Sequence, residues 1–184
     1  MLDSTFNQKK AEAFADGMLD TFNKSAIALA LSIGSRCGLF EVMANLPDST
    51  SAQIAEAANL NERYVREWLG TMVTGRVVNY YPESRTYQLP AEHAAFLTDD
   101  GEYNFATGMQ FVPVLAQVED ELIECFRNGG GVPYSSYPRF HEVMAAESAQ
   151  TVVAALEPHI LPLVPGLKDK LKAGIDVLDV GCGS

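Results

Sequence analysis

Residues 50–89 read TSAQIAEAANLNERYVREWLGTMVTGRVVNYYPESRTYQL, and the order of signals within them decides the architecture. Thr50-Ser51-Ala52-Gln53 matches a capping box and opens a short helix with Ile54, Ala57 and Ala58 on one face. Asn59-Leu60-Asn61 makes a turn, and Asn61 caps a second helix whose Tyr64, Val65, Trp68, Leu69 and Met72 form one apolar stripe ended by Gly75. Val77 to Tyr81 and Thr86 to Leu89, joined by Pro82-Glu83-Ser84-Arg85, alternate as the strands of a β-hairpin do. Helix, turn, helix and hairpin in this order predict a winged helix.

Such a unit reads DNA when its second helix offers phosphates a positive face. Here the outward positions are Glu62, Arg63, Arg66 and Glu67, and Asp48 to Leu89 contains four Arg against five carboxylates. The whole chain carries a formal charge of −11, which disfavours any nucleic-acid surface. The expected role is therefore a packing and dimerisation scaffold, with a DNA-binding transcriptional regulator as the alternative.

Upstream, Phe14, Met18 and Phe22 recur four apart from Gln8 to Phe22, with Ala11, Ala15 and Leu19 beside them, marking an amphipathic helix. A second helix is predicted from Ser25 to about Cys37, and its Ala26-Ile27-Ala28-Leu29-Ala30-Leu31 run has no polar face. A helix apolar all round needs cover on every side. Either the helix is central to a core or a second copy of the chain covers it, and a homodimer is the preferred expectation. Gly38 closes this helix, and Leu39 to Leu46 gives a short one stopped by Pro47.

The 184 residues suffice for one large or two small domains, and 47% apolar with 20% charged residues is the composition of a globular protein. Cys37, Cys125 and Cys182 are far apart and odd in number, so neither a disulfide framework nor a zinc site is implied. Residues 1 to 10 lack the apolar segment of a signal peptide. The longest apolar stretch, near Ala26 to Ile33, is far shorter than the ~20 residues a spanning helix needs. A soluble, cytoplasmic protein without metal is expected.

Downstream, Ala91 to Leu97 is a short helical piece and Thr98-Asp99-Asp100-Gly101 a polar turn. A long helix is predicted from about Asn104 to Phe126, kinked at Pro113. Asn128-Gly129-Gly130-Gly131-Val132-Pro133 comes next as a mobile connector; it lacks the Gly-Lys-Ser/Thr of a phosphate loop. Tyr134, Tyr137, Phe140 and His141 then gather three aromatic rings and an imidazole, either lining a ligand pocket or packing the connector. Arg139 to Gln150 and Thr151 to Leu156 look helical, with Phe140, Val143, Met144, Val152, Val153 and Leu156 turned inward. Pro158, Pro162 and Pro165 interrupt the next segment, and Gly166 to Lys172 adds a last turn or two. His93 and His159 read as packing or surface histidines.

The final stretch, Ile175-Asp176-Val177-Leu178-Asp179-Val180-Gly181-Cys182-Gly183-Ser184, describes a strand containing an acid and ending in a tight Gly-x-Gly turn. It resembles motif I of class I S-adenosylmethionine-dependent methyltransferases, lacking only the third glycine. With the winged helix upstream, the layout is similar to plant-type small-molecule O-methyltransferases and to a bacterial methyltransferase-like group. A Gly-Gly-Gly-Val-Pro-Tyr stretch like Gly129 to Tyr134 extends the likeness to that group over most of the chain. Nicotinamide-dependent dehydrogenases use a similar strand and turn, and stand as the alternative for this segment.

The resemblance implies S-adenosyl-L-methionine as cofactor, with Asp179 helping to hold its ammonium and Gly181 and Gly183 letting the turn pass close beneath it. It implies a small-molecule methyl acceptor, a homodimer, and no membrane or nucleic-acid partner. The expected fold is mainly α with a small hairpin, followed by the first strand of a Rossmann-like α/β domain that the chain breaks off. The expected divisions are 1–97, a helical dimerisation and winged-helix domain; 98–172, a helical linker region; and 173–184, the start of the cofactor domain. Such a front fragment is not expected to catalyse alone, and a naturally short dimerisation module is a further alternative. A lone strand without parallel neighbours is expected to stay disordered or to be held by another chain.

Overall fold

The computed structural model describes residues 6–101 and 103–181. Its first element, α1, runs unbroken from Gln8 to Arg36, where the sequence predicts two helices. Asn7 caps it, accepting from the Lys10 amide. The Asn23-Lys24-Ser25 stretch does not interrupt it, and two of its side chains find partners within the helix. Ser25 donates back to the Phe22 carbonyl at 2.7 Å, and Lys24 pairs with Asp20 at 2.7 Å.

Gly38, at φ +66°, turns the chain into α2 (Leu39–Ala44). Both halves of the predicted capping box form at Thr50 and Gln53, opening α3 (Ser51–Ala58), and Asn61 caps α4 (Glu62–Thr74). Strands β1 (Asn79–Tyr81) and β2 (Thr86–Gln88) pair antiparallel with Tyr80 opposite Tyr87. The ladder is shorter than predicted because the amides of Val77 and Val78 turn back to the Met72 carbonyl, at 2.8 and 3.3 Å. Ser49 and Tyr87 exchange backbone hydrogen bonds, which ties the wing to the segment before α3.

The core lies where α1, α2 and α4 meet. Phe40, Ile54, Val65, Leu69 and Met72 are buried there, and Trp68 meets Phe40 edge-on at 5.4 Å. The Trp68 indole donates to the Ala30 carbonyl at 2.8 Å, fastening α4 to α1. Gly34 makes that approach possible, since a Cβ at this position would stand 2.6 Å from the Trp68 ring. Tyr64, predicted within the stripe, is instead 74% exposed; the core side of α4 is filled by Val65, Trp68, Leu69 and Met72, and Tyr64 falls on its flank.

Beyond the wing come α5 (Ala91–Ala94), α6 (Phe105–Met109), α7 (Phe111–Ala116) and α8 (Glu119–Asn128). The single kinked helix expected here is three helices, broken at Gln110 and at Gln117-Val118. Pro113 lies in the first turn of α7, where its missing N–H leaves no bond unmade. A 3-10 turn at Tyr134–Ser136 leads to α9 (Phe140–Ser148). Two π-helical turns at Ala149–Val153 and Leu156–Ile160 come after it, then α10 (Leu167–Ala173).

Of the side chains expected to turn inward here, Val143 is buried and Phe140 half-buried. Met144, Val152, Val153 and Leu156 are exposed, because no described element packs over their side. The strand predicted at the end does not form either. Residues 174–181 run without strand pairing, and Val177, Leu178 and Val180 are exposed. A strand exists by its hydrogen-bonded neighbours, and the described residues supply none. Among the described residues no helix is long and apolar enough to cross a membrane.

Candidate functional site

The connector after α8 gathers the predicted aromatic residues. Gly129 and Gly130 adopt φ +74° and +97°, which leads the chain away from the end of α8 in a path that side chains resist. Ser136 then donates to Glu121 on α8 at 2.8 Å. Arg139, itself at φ +64°, donates to Glu142 and to Gln110, joining the start of α9 to the α6–α7 corner. The Arg139 guanidinium beside Glu142 holds that carboxyl below the usual range.

Phe140 is the hub of the cluster. Its ring centroid lies 5.5 Å from Tyr134, 5.8 Å from Tyr137, 5.8 Å from His141 and 6.1 Å from Phe111. Tyr134 and His141 lie 5.9 Å apart. The sequence named four of these five residues; Phe111 was read only as part of a helix. Tyr134 and His141 are exposed and Phe140 is half-buried, so the cluster presents ring surface outward. Such faces attract flat or cationic groups.

Asp179 and Gly181 lie apart from the rings, on the exposed segment after α10, with no hydrogen bond or ring contact among the described residues linking the two sets. Gly181 sits at φ +80° with nothing within 4 Å of where a Cβ would stand. Gly183 and Cys182 lie outside the described residues. His93 is a packing histidine, its Nδ1 2.7 Å from the Val77 carbonyl, and His159 is exposed. Among the described residues no group of His, Cys, Asp and Glu could hold a metal ion.

A second feature escaped the sequence. A cavity of about 480 Å³ opens between α1, α2, the Thr98–Gly101 turn, α6 and the turn after α9. Ser35, Glu41, Asp99, Asn104, Gln110 and Gln150 line it. The Gln150 side chain accepts from the Asn104 amide at 2.7 Å and donates to its carbonyl at 3.2 Å, and Glu147 accepts from both Tyr103 and Gln150. That network latches α9 onto the start of α6. The hydrogen bond to Glu147 pushes the Tyr103 hydroxyl above its ordinary pKa. Glu41 Oε2 is buried without a hydrogen-bond partner among the described residues. Burial pushes the Glu41 carboxyl up, with the Asp99 and Asp100 charges adding to it against a backbone hydrogen bond. The available signal was a lone acid inside the apolar helix LFEVMA, four residues after the small Cys37.

The four-helix arrangement with its hairpin can now be placed among known domains. Residues 25–99 match the family model of the Rv2258c-like winged HTH domain. This winged HTH domain spans the C-terminal part of α1 through the wing to the Thr98 turn. A search of curated proteins finds no match.

Solved structures share the fold over most of the chain. Human N-acetylserotonin methyltransferase in complex with SAM aligns with a TM-score of 0.60 at 14% identity, covering 90% of this chain and 51% of its own. The mitomycin 7-O-methyltransferase MmcR aligns at 0.54 and 17%, covering 89% and 44%. The N,N-8-amino-8-demethyl-D-riboflavin dimethyltransferase RosA from Streptomyces davawensis aligns at 0.58 and 17%, covering 80% and 45%. The chain thus spans about half the length of these structures, matching their N-terminal half. The predicted winged helix and mainly helical architecture are the observed ones.

Proposed function

We propose that this chain forms the front half of an S-adenosylmethionine-dependent methyltransferase acting on a small molecule. The supporting observation is the shared fold with small-molecule methyltransferases over 80–90% of this chain, beside a C-terminal segment whose sequence resembles motif I in its acid and glycines. S-adenosylmethionine would supply a sulfonium methyl group for in-line transfer. Asp179 offers an exposed carboxylate for its ammonium, and Gly181, at a positive φ with open space around it, suits the tight turn beneath it. Gly183 takes the matching role in the motif.

In this proposal the Tyr134–Tyr137–Phe140–His141 cluster lines the acceptor side of the site. Its rings orient a flat substrate and exclude water, so alignment supplies much of the rate. The winged HTH domain serves as scaffold, and a second copy of the chain is its partner. Its second helix is built for packing: Val65, Trp68, Leu69 and Met72 face the core, while outward Arg66 lies 3.6 Å from Glu62. DNA binding, the competing role, would show as a duplex shift at low salt, and none is expected. The fragment is proposed to be inactive alone and cytoplasmic.

Calorimetry on the full gene product tests the proposal. Saturable uptake of S-adenosylmethionine, weakened by Asp179→Asn and by Gly181→Ala, is the expected result. Absence of uptake, or preferential binding of a nicotinamide dinucleotide, refutes it.

A further inference from the structure

The cavity of about 480 Å³ between α1, α2, α6 and the turn after α9 has no part in the chemistry proposed above. A space of that size accepts a small organic molecule. It meets α9 and the turn beyond it at Ala146, Ala149 and Gln150, whereas the aromatic cluster centres on Phe140. Ala146 lies about 120° around the helix from Phe140, so the two features occupy different sides of α9. The walls are held in place. Thr98 donates to the Ala94 carbonyl at 2.9 Å, and a Cβ at Gly101 would overlap the Ala95 carbonyl, which pins the Thr98–Gly101 turn against the end of α5.

The amides on those walls are spent on their neighbours. Gln110 donates to Ser35 at 3.2 Å and accepts from Arg139, and Gln150 is bound both ways to the Asn104 backbone. The Asn104 side chain donates to Asp99 Oδ1 at 2.9 Å and accepts from the Ala106 amide at 2.9 Å. What remains is acceptor capacity. Glu41 Oε2 is shut off from solvent without a partner, and Asp99 is engaged through one oxygen alone among the described residues. No Lys, Arg or His lines the cavity, and neither acid belongs to an ion pair among the described residues. A carboxylate deprived of water calls for an N–H that carries positive charge.

We infer that this cavity binds a small organic cation, a primary ammonium or a guanidinium, with Glu41 and Asp99 as its carboxylate partners. Binding here does not depend on the methyltransferase reading. A bare metal ion suits the cavity poorly, since among the described residues no group of His, Cys, Asp and Glu could hold one. The volume leaves room for an organic body beside the charge, over the small side chains of Ala146 and Ala149. Asp99 is exposed and Glu41 half-buried, so the charged end reaches inward past the first acid to the second. Burial, and after it the Asp99 and Asp100 charges, disfavour the ionised Glu41 carboxyl; a cation set between the acids offsets both. Because Ser35, Glu41 and Asp99 belong to the winged HTH domain and Gln150 follows α9, an occupied cavity also ties α9 more firmly to that domain.

Calorimetry on the whole chain tests this, at physiological ionic strength so that the general attraction of the −11 surface is screened. The probes are butylamine, benzylamine, 1,5-diaminopentane and agmatine, with butanol and benzyl alcohol as neutral counterparts. Saturable binding of at least one cation and none of the alcohols is expected. Glu41→Gln and Asp99→Asn should each raise the dissociation constant about tenfold or more. Glu41→Gln keeps the side chain's shape, and its urea midpoint checks that it folds. Ala146→Leu, which fills the cavity with both acids in place, should also remove binding, whereas Glu124→Gln on α8 should leave it unchanged. With the cation bound, amide exchange should slow over residues 98–107 and 146–150. The inference is overturned if no probe saturates up to about 10 mM, if the alcohols bind as well as the amines, or if calcium or magnesium ions compete the amine away. It is equally overturned if Glu124→Gln weakens binding as much as Glu41→Gln does, which would mark an adventitious contact with the acidic surface.

Discussion

Replacing Gly34 by alanine tests the packing that holds the winged HTH domain together. The new Cβ would stand 2.6 Å from Trp68 Cζ2 and 2.8 Å from Phe40 Cε2, closer than carbon atoms pack. Both neighbours are rigid rings in a filled core, so neither can swing away as a flexible chain end would. Overpacking of this kind costs about 1–3 kcal/mol. Moving the indole also strains its hydrogen bond to the Ala30 carbonyl, a contribution of roughly 1 kcal/mol. Alanine's better helix propensity returns about 1 kcal/mol. The net expectation is a loss of about 2 kcal/mol, seen as a lower urea midpoint with an unchanged m-value. Gly17→Ala, in the same helix with nothing within 4 Å of its Cβ, isolates the propensity term and should stabilise by up to about 1 kcal/mol. If both substitutions move the midpoint in the same direction, the close contact of α1 with Trp68 is not what Gly34 protects.

Other perturbations probe separate parts. Thr50→Ala removes the side chain that accepts from the Gln53 amide, and should lower stability by about 1 kcal/mol in the same urea titration. Glu41→Gln acts through pH. Because burial raises the folded-state pKa of Glu41 above its ordinary value, the folded chain holds that proton more tightly, and stability falls as pH rises through the two values. The substitution should therefore raise the urea midpoint at pH 7 and lose that advantage as pH falls below the ordinary carboxylate range; a benefit independent of pH would place Glu41 in solvent.

How much of this was legible depended on where each signal lies. The capping box at Thr50, the Asn61 cap and the 65–68–69–72 spacing are local, and each formed as written. Errors arose where a tertiary partner decides. Nothing in Asn23-Lys24-Ser25 reveals that Lys24 and Ser25 would find partners within one continuous helix, so two helices were expected where one exists. Phe105 to Phe126 has the periodicity of a single helix, but breaks at Gln110, whose side chain bonds Ser35 on α1 and accepts from Arg139 ahead of α9. The aromatic residues after the glycines were named because four lie within eight positions. The cavity was not, since its lining comes from five separate segments.

The distribution of exposed apolar groups leads to a last expectation. Residues 27–106 close one core, with Phe40, Ile54, Leu69 and Met72 out of reach of solvent. Residues 152–180 expose Val152, Val153, Leu163, Leu178 and Val180, and change repeatedly between π, 3-10 and α turns. Few buried contacts and irregular hydrogen bonding mean a small free energy for local opening. Amide exchange followed by mass spectrometry should therefore show α3 and α4 protected to the limit of global unfolding, and residues 152–180 exchanging orders of magnitude faster. If the proposed cofactor domain follows in the full gene product, its sheet would cover those side chains, and the same segment should slow sharply while α3 and α4 do not change. Equal protection of 152–180 in both proteins would mean that this segment is stabilised by the front half alone, and that the shared fold with methyltransferases does not extend to how their halves join.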